Sequence, residues 1–587
     1  MLVVNDVESS DGPAGSSDER LAELLNQLSD DLRDDPRYYL RHFQFVIAWV
    51  CHRYIDLLGE EEHTFIARFT ALPEPSQALL VRMVSRKGEL FRPELFSYPE
   101  VGDIAVAIQG LESAGLIELD PGIDLDELFS LLRVPELRHA FAQQIADQGL
   151  PGSITKLRLR EALADLEGYD RPMSEWWPAF NEPLIRLTVM PVCNRLRLMF
   201  FGNLQQSWSD FVLAELGISR FEKVALDVGS RAFQQRTDVD IYLALHRLRE
   251  RLEEGEPVAA LWAGLPIVPE GNIWLEARRA RLLYRMGQQA QRDGEEPLAL
   301  ECYALAGKGE PRIRRMRLME RRGDYQQAFE VACDAVLKPA DESERQALER
   351  LVPRLCKRLG KPVLSALVRE AVPPTLTRVA RLPISSLHDS GSVEAAVCQQ
   401  MGSQKAPLFY VENALISGLF GLLCWEAIFA PLPGAFFHPF HHAPADLRQP
   451  DFVSRRRPLF DTALRMLDDG RYRDIILARW RDKYGIANPF VNWGWLDEEL
   501  ITLALEHVSA EHLKAMCERL LHDPAANRAG LPDLIQFLPD ATEGPRYRLI
   551  EVKGPGDRLQ DNQKRWLAFF SRHAIPAEVC HVQWEET

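Results

Sequence analysis

The sequence predicts a multidomain protein that is mainly α-helical over its N-terminal two-thirds and ends in an α/β domain. At 587 residues the chain is long enough for three or more domains. Apolar residues recur at helical spacing through most of it, as in the aromatic stripe from Tyr38 to Tyr54. Near the C-terminus the pattern changes to short apolar runs bounded by turn residues, which is typical of buried strands.

The composition indicates an ordinary soluble globular protein, with 46% hydrophobic and 26% charged residues. The apolar segment from Ala414 to Phe429 is interrupted by glycine, serine and glutamate, so we expect no membrane span. The stretch Met1 to Asp11 lacks the basic start and apolar core of a signal peptide. Nine dispersed cysteines without a Cys-x-x-Cys pair favour a reducing compartment and argue against a structural zinc site.

The net charge of -17 argues against nucleic-acid binding, because phosphate contacts need lysine and arginine. The charge is, however, unevenly distributed. Residues 1–37 hold ten acidic residues against three basic ones, whereas residues 546–572 hold seven basic residues against three acidic ones. The C-terminal part can therefore still face a polyanion.

Residues 1–62 are predicted to be an acidic head, with residues 1–35 disordered, followed by a helix. Residues 63–120 predict a winged-helix-like unit, several helices followed by a strand at 114–118. A helix over 79–87 would carry Arg82, Arg86 and Lys87 on one face. These cations either contact phosphates or form a solvated face, and the sequence leaves both open.

Residues 121–170 predict two short helices joined by a glycine-containing turn. Lys156, Arg158 and Arg160 lie near the start of the second helix. This arrangement resembles a SAP-type DNA-binding motif. Backbone amides at a helix N-terminus, together with basic side chains, would bind phosphates without reading the base sequence.

The middle of the chain is predicted to be a helical scaffold. Residues 171–273 form a helical linker. Within residues 274–370 a weak repeat appears, since Gly294 and Ala299 recur as Gly323 and Ala328. This pattern indicates paired antiparallel helices like tetratricopeptide repeats, although the spacing of 29 residues is shorter than the usual ~34. The dense arginines between positions 312 and 322 face DNA, a partner or solvent.

Two short apolar runs near the C-terminus carry the candidate site. In the run 547–553, alternation places Glu551 and Lys553 on one face. Asp533 lies at the start of the other run, so its carboxylate converges with Glu551 if the two strands pair. Carboxylates on adjacent strands can hold Mg²⁺, and a nearby lysine can orient water and offset phosphoryl charge. The pattern predicts phosphodiester hydrolysis, although an isolated acid and Glu-x-Lys also fit a solvated strand face.

A longer motif decides between these two interpretations. Gly530-Leu-Pro-Asp533 and Glu551-Val-Lys-Gly-Pro-Gly-Asp-Arg-Leu559, followed by Gln563 and Trp566, resemble the PD-(D/E)XK nucleases of the VRR-NUC type. The chain looks most like the Fanconi-associated nucleases, as a bacterial-type member without an N-terminal zinc finger. The resemblance implies that residues 405–587 form a VRR-NUC nuclease domain with the PD-(D/E)XK fold.

The resemblance also implies roles for individual residues. Asp533 and Glu551 would bind Mg²⁺ or Mn²⁺, assisted by the carbonyl of Val552 and by Glu412 on a helix that starts near Pro407. Lys553 would position the attacking water, and Gln563 would orient the site or contact phosphate. The acid Glu426 competes with Glu412 but is expected to be structural.

The expected activity is that of a structure-specific DNA endonuclease and 5′ to 3′ exonuclease, acting on 5′ flaps and other branched DNA in repair, including repair of interstrand crosslinks. Direct hydrolysis without a covalent enzyme intermediate is expected. Branched or 5′-flap DNA is the expected partner, with no membrane, and the location is cytoplasmic with the nucleoid in a bacterium or nuclear in a eukaryote.

Three alternatives bear on the site. A four-way junction resolvase would use the same residues and usually act as a symmetric dimer. A non-catalytic DNA-repair scaffold would tolerate loss of the acids. A zinc site at His438, His441 and His442 lacks spaced partner ligands.

Ala525 and Asn562 stand where a basic residue would help to hold a 5′ phosphate, which argues against a dedicated phosphate pocket.

Overall fold

The structure is a computed structural model, and it divides into two compact units. One comprises residues 1–218 with 233–239, and the other residues 219–232 with 240–587. The residues that the structure describes are 35–166, 168–180, 182–206, 208, 220–362, 364, 375–385 and 391–585. Residues 1–34, which make up most of the predicted acidic head, therefore lie outside the described residues.

The first unit combines helices with a small antiparallel sheet. Its helices are α1 (Tyr38–Tyr54), α2 (Glu60–Ala71), α3 (Glu74–Val84), α4 (Ile104–Ser113), α5 (Leu125–Leu131), α6 (Val134–Ala140), α7 (Ala142–Asp147), α8 (Lys156–Ala162), α9 (Met173–Trp176) and α10 (Met190–Phe201). Its strands are β1 (Leu90–Phe91), β2 (Ile117–Leu119) and β3 (Ile185–Leu187). Short 3₁₀ turns in the described chain are Ile55–Leu57, Pro93–Leu95, Ala164–Leu166 and Val228–Ser230.

The strand that completes the small sheet comes from far along the chain. The strand order is β1–β3–β2, so β3 is central and pairs antiparallel with both neighbours. The SAP-like helices α5 to α9 therefore form an insertion between β2 and β3. Arg186 on β3 binds this insertion, since its guanidinium donates to the carboxylate of Glu127 at 2.9 Å and to the carbonyl of Gly122 at 2.8 Å.

Seven consecutive helices begin the second unit. They are α11 (Arg236–Glu253, whose first turn belongs to the first unit), α12 (Val258–Trp262), α13 (Ile273–Arg292), α14 (Glu296–Ala306), α15 (Glu310–Arg322), α16 (Tyr325–Leu337) and α17 (Glu342–Leu359). The repeat found in the sequence coincides with two helix pairs, α13–α14 and α15–α16.

Glycine and alanine recur in these pairs for a physical reason. Gly294 and Gly323 end the first helix of each pair with φ of 81° and 85°, a conformation that side chains disfavour. Ala299 and Ala328 are fully buried on the second helix, where the paired helices pack closely. Gly287 on α13 allows a similar approach, because a Cβ there would lie 2.8 Å from the ring of Tyr303.

The C-terminal part is an α/β domain built on a five-stranded sheet. Its strands are β4 (Leu376–Pro383), β5 (Leu408–Tyr410), β6 (Leu534–Phe537), β7 (Tyr547–Lys553) and β8 (Ala577–Glu585). The order is β4–β8–β7–β6–β5, with parallel pairing at β4–β8–β7 and antiparallel pairing at β7–β6–β5. This mixed sheet with flanking helices confirms the predicted α/β nuclease fold. Because β4 precedes residue 405, the sheet begins earlier in the chain than the domain proposed from the sequence.

Helices cover both faces of this sheet. They are α18 (Val393–Met401), α19 (Leu415–Leu423), α20 (Trp425–Ile428), α21 (Phe452–Arg455), α22 (Arg457–Asp468), α23 (Tyr472–Asp482), α24 (Glu498–His507), α25 (Ala510–His522), α26 (Pro524–Asn527) and α27 (Asp561–Arg572). Leu549 packs with Trp566 on one face, and Val552 packs with Ala396 of α18 on the other. The alternation predicted for β7 is therefore confirmed.

Two local predictions were wrong. No helix starts near Pro407, because residues 408–410 pair with β6 as β5 and the helix begins only at Leu415. Likewise, α3 ends at Val84, so Arg86 and Lys87 lie in the turn that follows it.

Among the described helices, none combines the length and the apolar run that crossing a membrane would need.

Candidate active site

The two predicted catalytic strands are neighbours in the sheet. Strands β6 and β7 pair antiparallel, with Leu534 opposite Ile550. Asp533 directly precedes β6, and its Oδ2 accepts a 2.7 Å hydrogen bond from the amide of Val552. The acid is thus fixed beside Glu551 by the backbone of the partner strand, as the sequence predicted if the strands paired.

Glu551 is the centre of the polar contacts. Its side chain is buried, with the residue only 1% exposed. Oε1 receives the ammonium of Lys553 at 2.7 Å and a hydrogen bond from Nε2 of Gln563 at 2.5 Å. Oε2 is buried and has no hydrogen-bond partner among the described residues. An orphaned carboxylate oxygen in this position is suited to a cation ligand.

The helix that carries Gln563 is held from outside the sheet domain. On α17, Arg350 forms a 2.9 Å ion pair with Asp561, and Gln346 accepts a 2.9 Å hydrogen bond from Arg565. Both partners lie on α27, as does Gln563. The helical repeats therefore help to set the orientation of a residue that touches the site.

Both buried acids have raised pKa values. Burial, opposed by the Val552 hydrogen bond and by Lys553, raises the pKa of Asp533 to about 6. Burial and the charge of Asp533 raise the pKa of Glu551 to about 7, again opposed by Lys553. Two acids that resist ionisation because they are close and buried are stabilised as anions by a bound cation.

The donor set fits a hard divalent ion. Asp533 and Glu551 supply carboxylate oxygens, which Mg²⁺ and Mn²⁺ prefer. Within the described ranges, no three His, Cys, Asp or Glu side chains form a ready-made metal cage. Mg²⁺ commonly binds through one or two carboxylates with water and substrate phosphate, which matches this pair.

Glu412 lies in a turn, not on a helix as predicted. It is exposed and sits between β5 and α19, followed by Asn413 with φ of 52°. The hydroxyl of Tyr410 donates a short hydrogen bond to Glu412 Oε2. Asn413 Oδ1 accepts the amide of Leu531 at 3.2 Å, which ties the turn to the segment before Asp533. The amide of Val411, the residue before Glu412, donates to the carbonyl of Asp533 at 2.8 Å. The charge of Glu412 raises the pKa values of both Asp533 and Glu551.

Sequence reasoning missed a fourth acid, Glu394. It lies in the first turn of α18, which Ser392 caps and which packs against β7 through Val393 and Ala396, and its charge raises the pKa of Asp533. The signal was the capping serine before a short helix, but the predicted domain began only at residue 405. The rejected acid, Glu426, forms an ion pair with Arg479 at 2.6 Å, which is a structural role.

A cavity of about 640 Å³ opens beside Asn413. The loop 489–492 lines it together with the basic residues Arg448 and Arg528 and with Ala525, and none of its lining residues is acidic. Burial, with the charge of Arg448, lowers the pKa of Arg528. Two arginines therefore lie in the same cavity as Ala525, one of the two positions where the sequence lacks a basic residue.

The cations predicted on the winged-helix-like segment have different environments. Arg82 pairs with Glu100 at 2.6 Å, and its guanidinium lies 3.9 Å from the ring centre of Tyr39. Arg86 is exposed and lies over the ring of Tyr98 at 5.1 Å. Lys87 is exposed. Arg82 thus has a structural role, whereas Lys87 is available to a phosphate.

The SAP-like cations divide in the same way. Lys156 donates to the carbonyl of Leu132 at 3.2 Å, and Arg160 pairs with Asp126 at 2.7 Å. Arg158 is exposed on α8. Of these three, Arg158 is the side chain most accessible to DNA.

Three models of protein domains match this chain. The model of the VRR-NUC domain matches residues 467–584, that of the FAN1 HTH domain matches residues 37–118, and that of the Fanconi anemia-associated nuclease SAP domain matches residues 122–176. A mixed sheet with paired acids and a lysine, within a VRR-NUC domain, defines the class of protein as a nuclease.

The relatives specify the family. A Fanconi-associated nuclease 1 homolog of Pseudomonas aeruginosa is 47% identical over 94% of this chain and 96% of its own length. One from Arabidopsis thaliana is 25% identical over 93% of this chain and 67% of its own. Crystal structures of paFAN1 bound to 5′-flap DNA with a gap superpose with TM-scores of 0.80 and 0.79, covering 94% of this chain and at least 99% of theirs. The chain belongs to the Fanconi-associated nuclease family.

Proposed function

We propose that this nuclease hydrolyses phosphodiester bonds near 5′ flaps and related branches in DNA, as an endonuclease and a 5′ to 3′ exonuclease that uses Mg²⁺ or Mn²⁺. The observation that carries the proposal is the pair Asp533 and Glu551, joined across β6 and β7. Lys553 contacts one Glu551 oxygen, and the other has no hydrogen-bond partner in the described part of the chain. The paFAN1 structures with 5′-flap DNA support the choice of substrate.

Each residue has a defined task. Asp533 and Glu551 would hold the ion, assisted by the carbonyl of Val552 and by Glu412, and the bound ion would supply positive charge to the scissile phosphate. Lys553 orients the attacking water and offsets charge that builds on the phosphoryl oxygens. Gln563 fixes the carboxylate of Glu551, and Tyr410 fixes that of Glu412. Water attacks the phosphorus directly while the bond from phosphorus to one sugar oxygen breaks, and that oxygen leaves as a hydroxyl after taking a proton from water, so no covalent enzyme intermediate forms.

Basic residues outside the centre bind the DNA backbone. The exposed Lys87 and Arg158, with Arg86, give the helical unit phosphate contacts that do not depend on base sequence. Arg448 and Arg528 provide positive charge in the cavity that is lined by Asn413, the residue after Glu412. Such an enzyme acts in DNA repair, including that of interstrand crosslinks, and in a bacterium would work in the cytoplasm at the nucleoid.

The test is cleavage of end-labelled 5′-flap, four-way and plain duplex DNA with Mg²⁺ or Mn²⁺ and with a chelator. Metal-dependent cutting near the flap junction is expected, and Asp533→Ala should abolish it. Asp540→Asn is the matched control, because it changes an exposed acid in the turn after β6. A preference for four-way DNA would favour a resolvase, and DNA binding without cleavage would favour a scaffold.

A further inference from the structure

An indole is exposed close to the proposed metal centre. Trp495, in the loop between α23 and α24, is 50% exposed. Its ring centre lies 5.0 Å from that of Tyr410, with the two rings tilted by 59°. The hydroxyl of Tyr410 bonds to Glu412, so one side chain separates the indole from a carboxylate of the site.

The loop holds this indole in place. The amide of Trp495 donates to the carbonyl of Asn492 at 3.1 Å. The next residue, Leu496, is buried and accepts the indole N–H of Trp480 at 3.0 Å. On the other side, Tyr410 ends β5 and pairs with Leu534, the residue after Asp533. A fixed backbone at both contacts gives Trp495 a defined position relative to the acids.

Neighbouring tryptophans are used differently. Trp480 and Trp493 are partly buried against the domain core, and each donates its indole N–H to a backbone carbonyl. Half of the Trp495 surface, in contrast, remains in water, so its burial stabilises the fold less. An exposed aromatic face fixed beside a catalytic acid is suited to bind a planar apolar surface.

The charges around the loop indicate which planar group binds. Asn492, which anchors Trp495, also lines the cavity with Arg448 and Arg528. Aromatic faces next to a positively charged groove are the combination that binds single-stranded nucleic acid, with the bases stacked and the phosphates paired.

We propose that Trp495 stacks on an unpaired nucleobase next to the phosphate that is cleaved. This inference rests on the proposed function and adds a positioning residue to it. Stacking at this point fixes the strand against Tyr410 and Glu412, which favours cleavage where a nucleotide is unpaired over cleavage within a continuous duplex.

The experiment pairs a protein change with a DNA change. Trp495→Leu keeps an apolar contact with Tyr410 but removes the stacking face, whereas Trp495→Phe keeps a smaller face. Each protein cuts 5′-flap DNA with normal bases and the same DNA with an abasic analogue at successive positions around the cut. Tyr484→Leu is the matched control, because this tyrosine is 52% exposed and packs on Trp480 and Trp493 instead.

Loss of one stacked base should slow cleavage by about tenfold or more. At one position, the abasic analogue should slow cleavage by the native protein by the same factor as Trp495→Leu slows cleavage of normal DNA. Trp495→Leu should then cut that abasic DNA no more slowly than it cuts normal DNA. Trp495→Phe should keep most of the rate, and Tyr484→Leu all of it. Losses that multiply at every position would overturn the proposal, since Trp495 would then act only through packing.

A binding measurement separates this inference from the proposed function. With Asp533→Ala and no metal, 2-aminopurine at the position identified should be quenched on binding, and Trp495→Leu should abolish that quenching. Quenching that requires Trp495, without cleavage by the native protein, would sustain the stacking and refute the proposed function. If the native protein cleaves the flap DNA but Trp495→Leu leaves the quenching unchanged, the proposed function would stand and the stacking would be refuted.

Discussion

The ammonium of Lys553 lies 2.7 Å from Oε1 of Glu551, two residues away on the same strand. Alternation along β7 brings the two side chains to one face. Both are buried, so removal of either one would leave the charge of the other without its ion-pair partner. The other Glu551 oxygen lacks a partner among the described residues, so the pair is arranged to hold one more positive charge.

Lys553→Met should lower the cleavage rate by about a hundredfold or more, because the charge that offsets the phosphoryl group is lost. Binding of flap DNA should be nearly unchanged. Single-turnover cleavage and a separate binding titration would measure the two quantities. Lys564→Met is the control, since this lysine is exposed on α27. Equal losses in binding and rate would contradict the catalytic role.

Metal binding should weaken as the pH falls through the pKa values of Glu551 and Asp533, about 7 and about 6. Protons and the ion compete for the same carboxylates. Titration of Mn²⁺ by calorimetry between pH 5 and 8 should give rising affinity that levels above pH 7. Glu551→Gln should remove the upper part of this dependence. A flat profile in the native protein would show that the ion binds elsewhere.

The same acids should make the metal-free protein less stable as the pH rises. Their pKa values in the folded state are raised, so their contribution to stability is fully present below the unfolded values near 4 and is lost as the pH rises through about 6 to 7. Mn²⁺ should therefore raise the melting temperature by several degrees at pH 7.5 but little at pH 5. Thermal unfolding with and without Mn²⁺ would measure this, and Asp533→Asn should reduce the gain.

Gln563→Leu should reduce metal affinity by about 10- to 100-fold, the usual effect of losing a group that orients a ligand. The amide holds Glu551 Oε1 at 2.5 Å, and its own oxygen accepts the amide of Gln560. Cleavage measured over a Mn²⁺ series should need more metal and recover at saturation. Failure to recover at any concentration would instead assign Gln563 a direct part in the chemistry.

Arg448→Ala should weaken DNA binding and reduce the slope of log affinity against log salt by about one. Arg448 lines the cavity beside Asn413 and shares it with Arg528. Binding of flap DNA at several salt concentrations would measure the slope. Arg465→Ala, an exposed arginine on α22, should leave it unchanged. An unchanged slope for Arg448→Ala would remove this cavity from the path of the DNA.

The sequence by itself determined that Asp533, Glu551 and Lys553 lie together, because strand alternation and a turn before a strand are local properties of the chain. It also determined the helical repeats, since glycine is required where a helix ends at positive φ. The family motif then assigned the chemistry of these residues.

Only the tertiary structure decided which other segments lie near these residues. Glu394, Arg448 and Trp495 lie about 40 to 140 residues from Asp533 in the chain, and packing of α18 and of the helices before β6 brings their segments to it. Glu412 was assigned to a helix because an apolar run follows it, but residues 408–410 pair with β6 as β5, so the helix begins only at Leu415. Likewise, no local pattern could reveal that Arg82 forms an ion pair with Glu100 and Arg160 one with Asp126. Ion pairs between distant segments depend on how those segments pack.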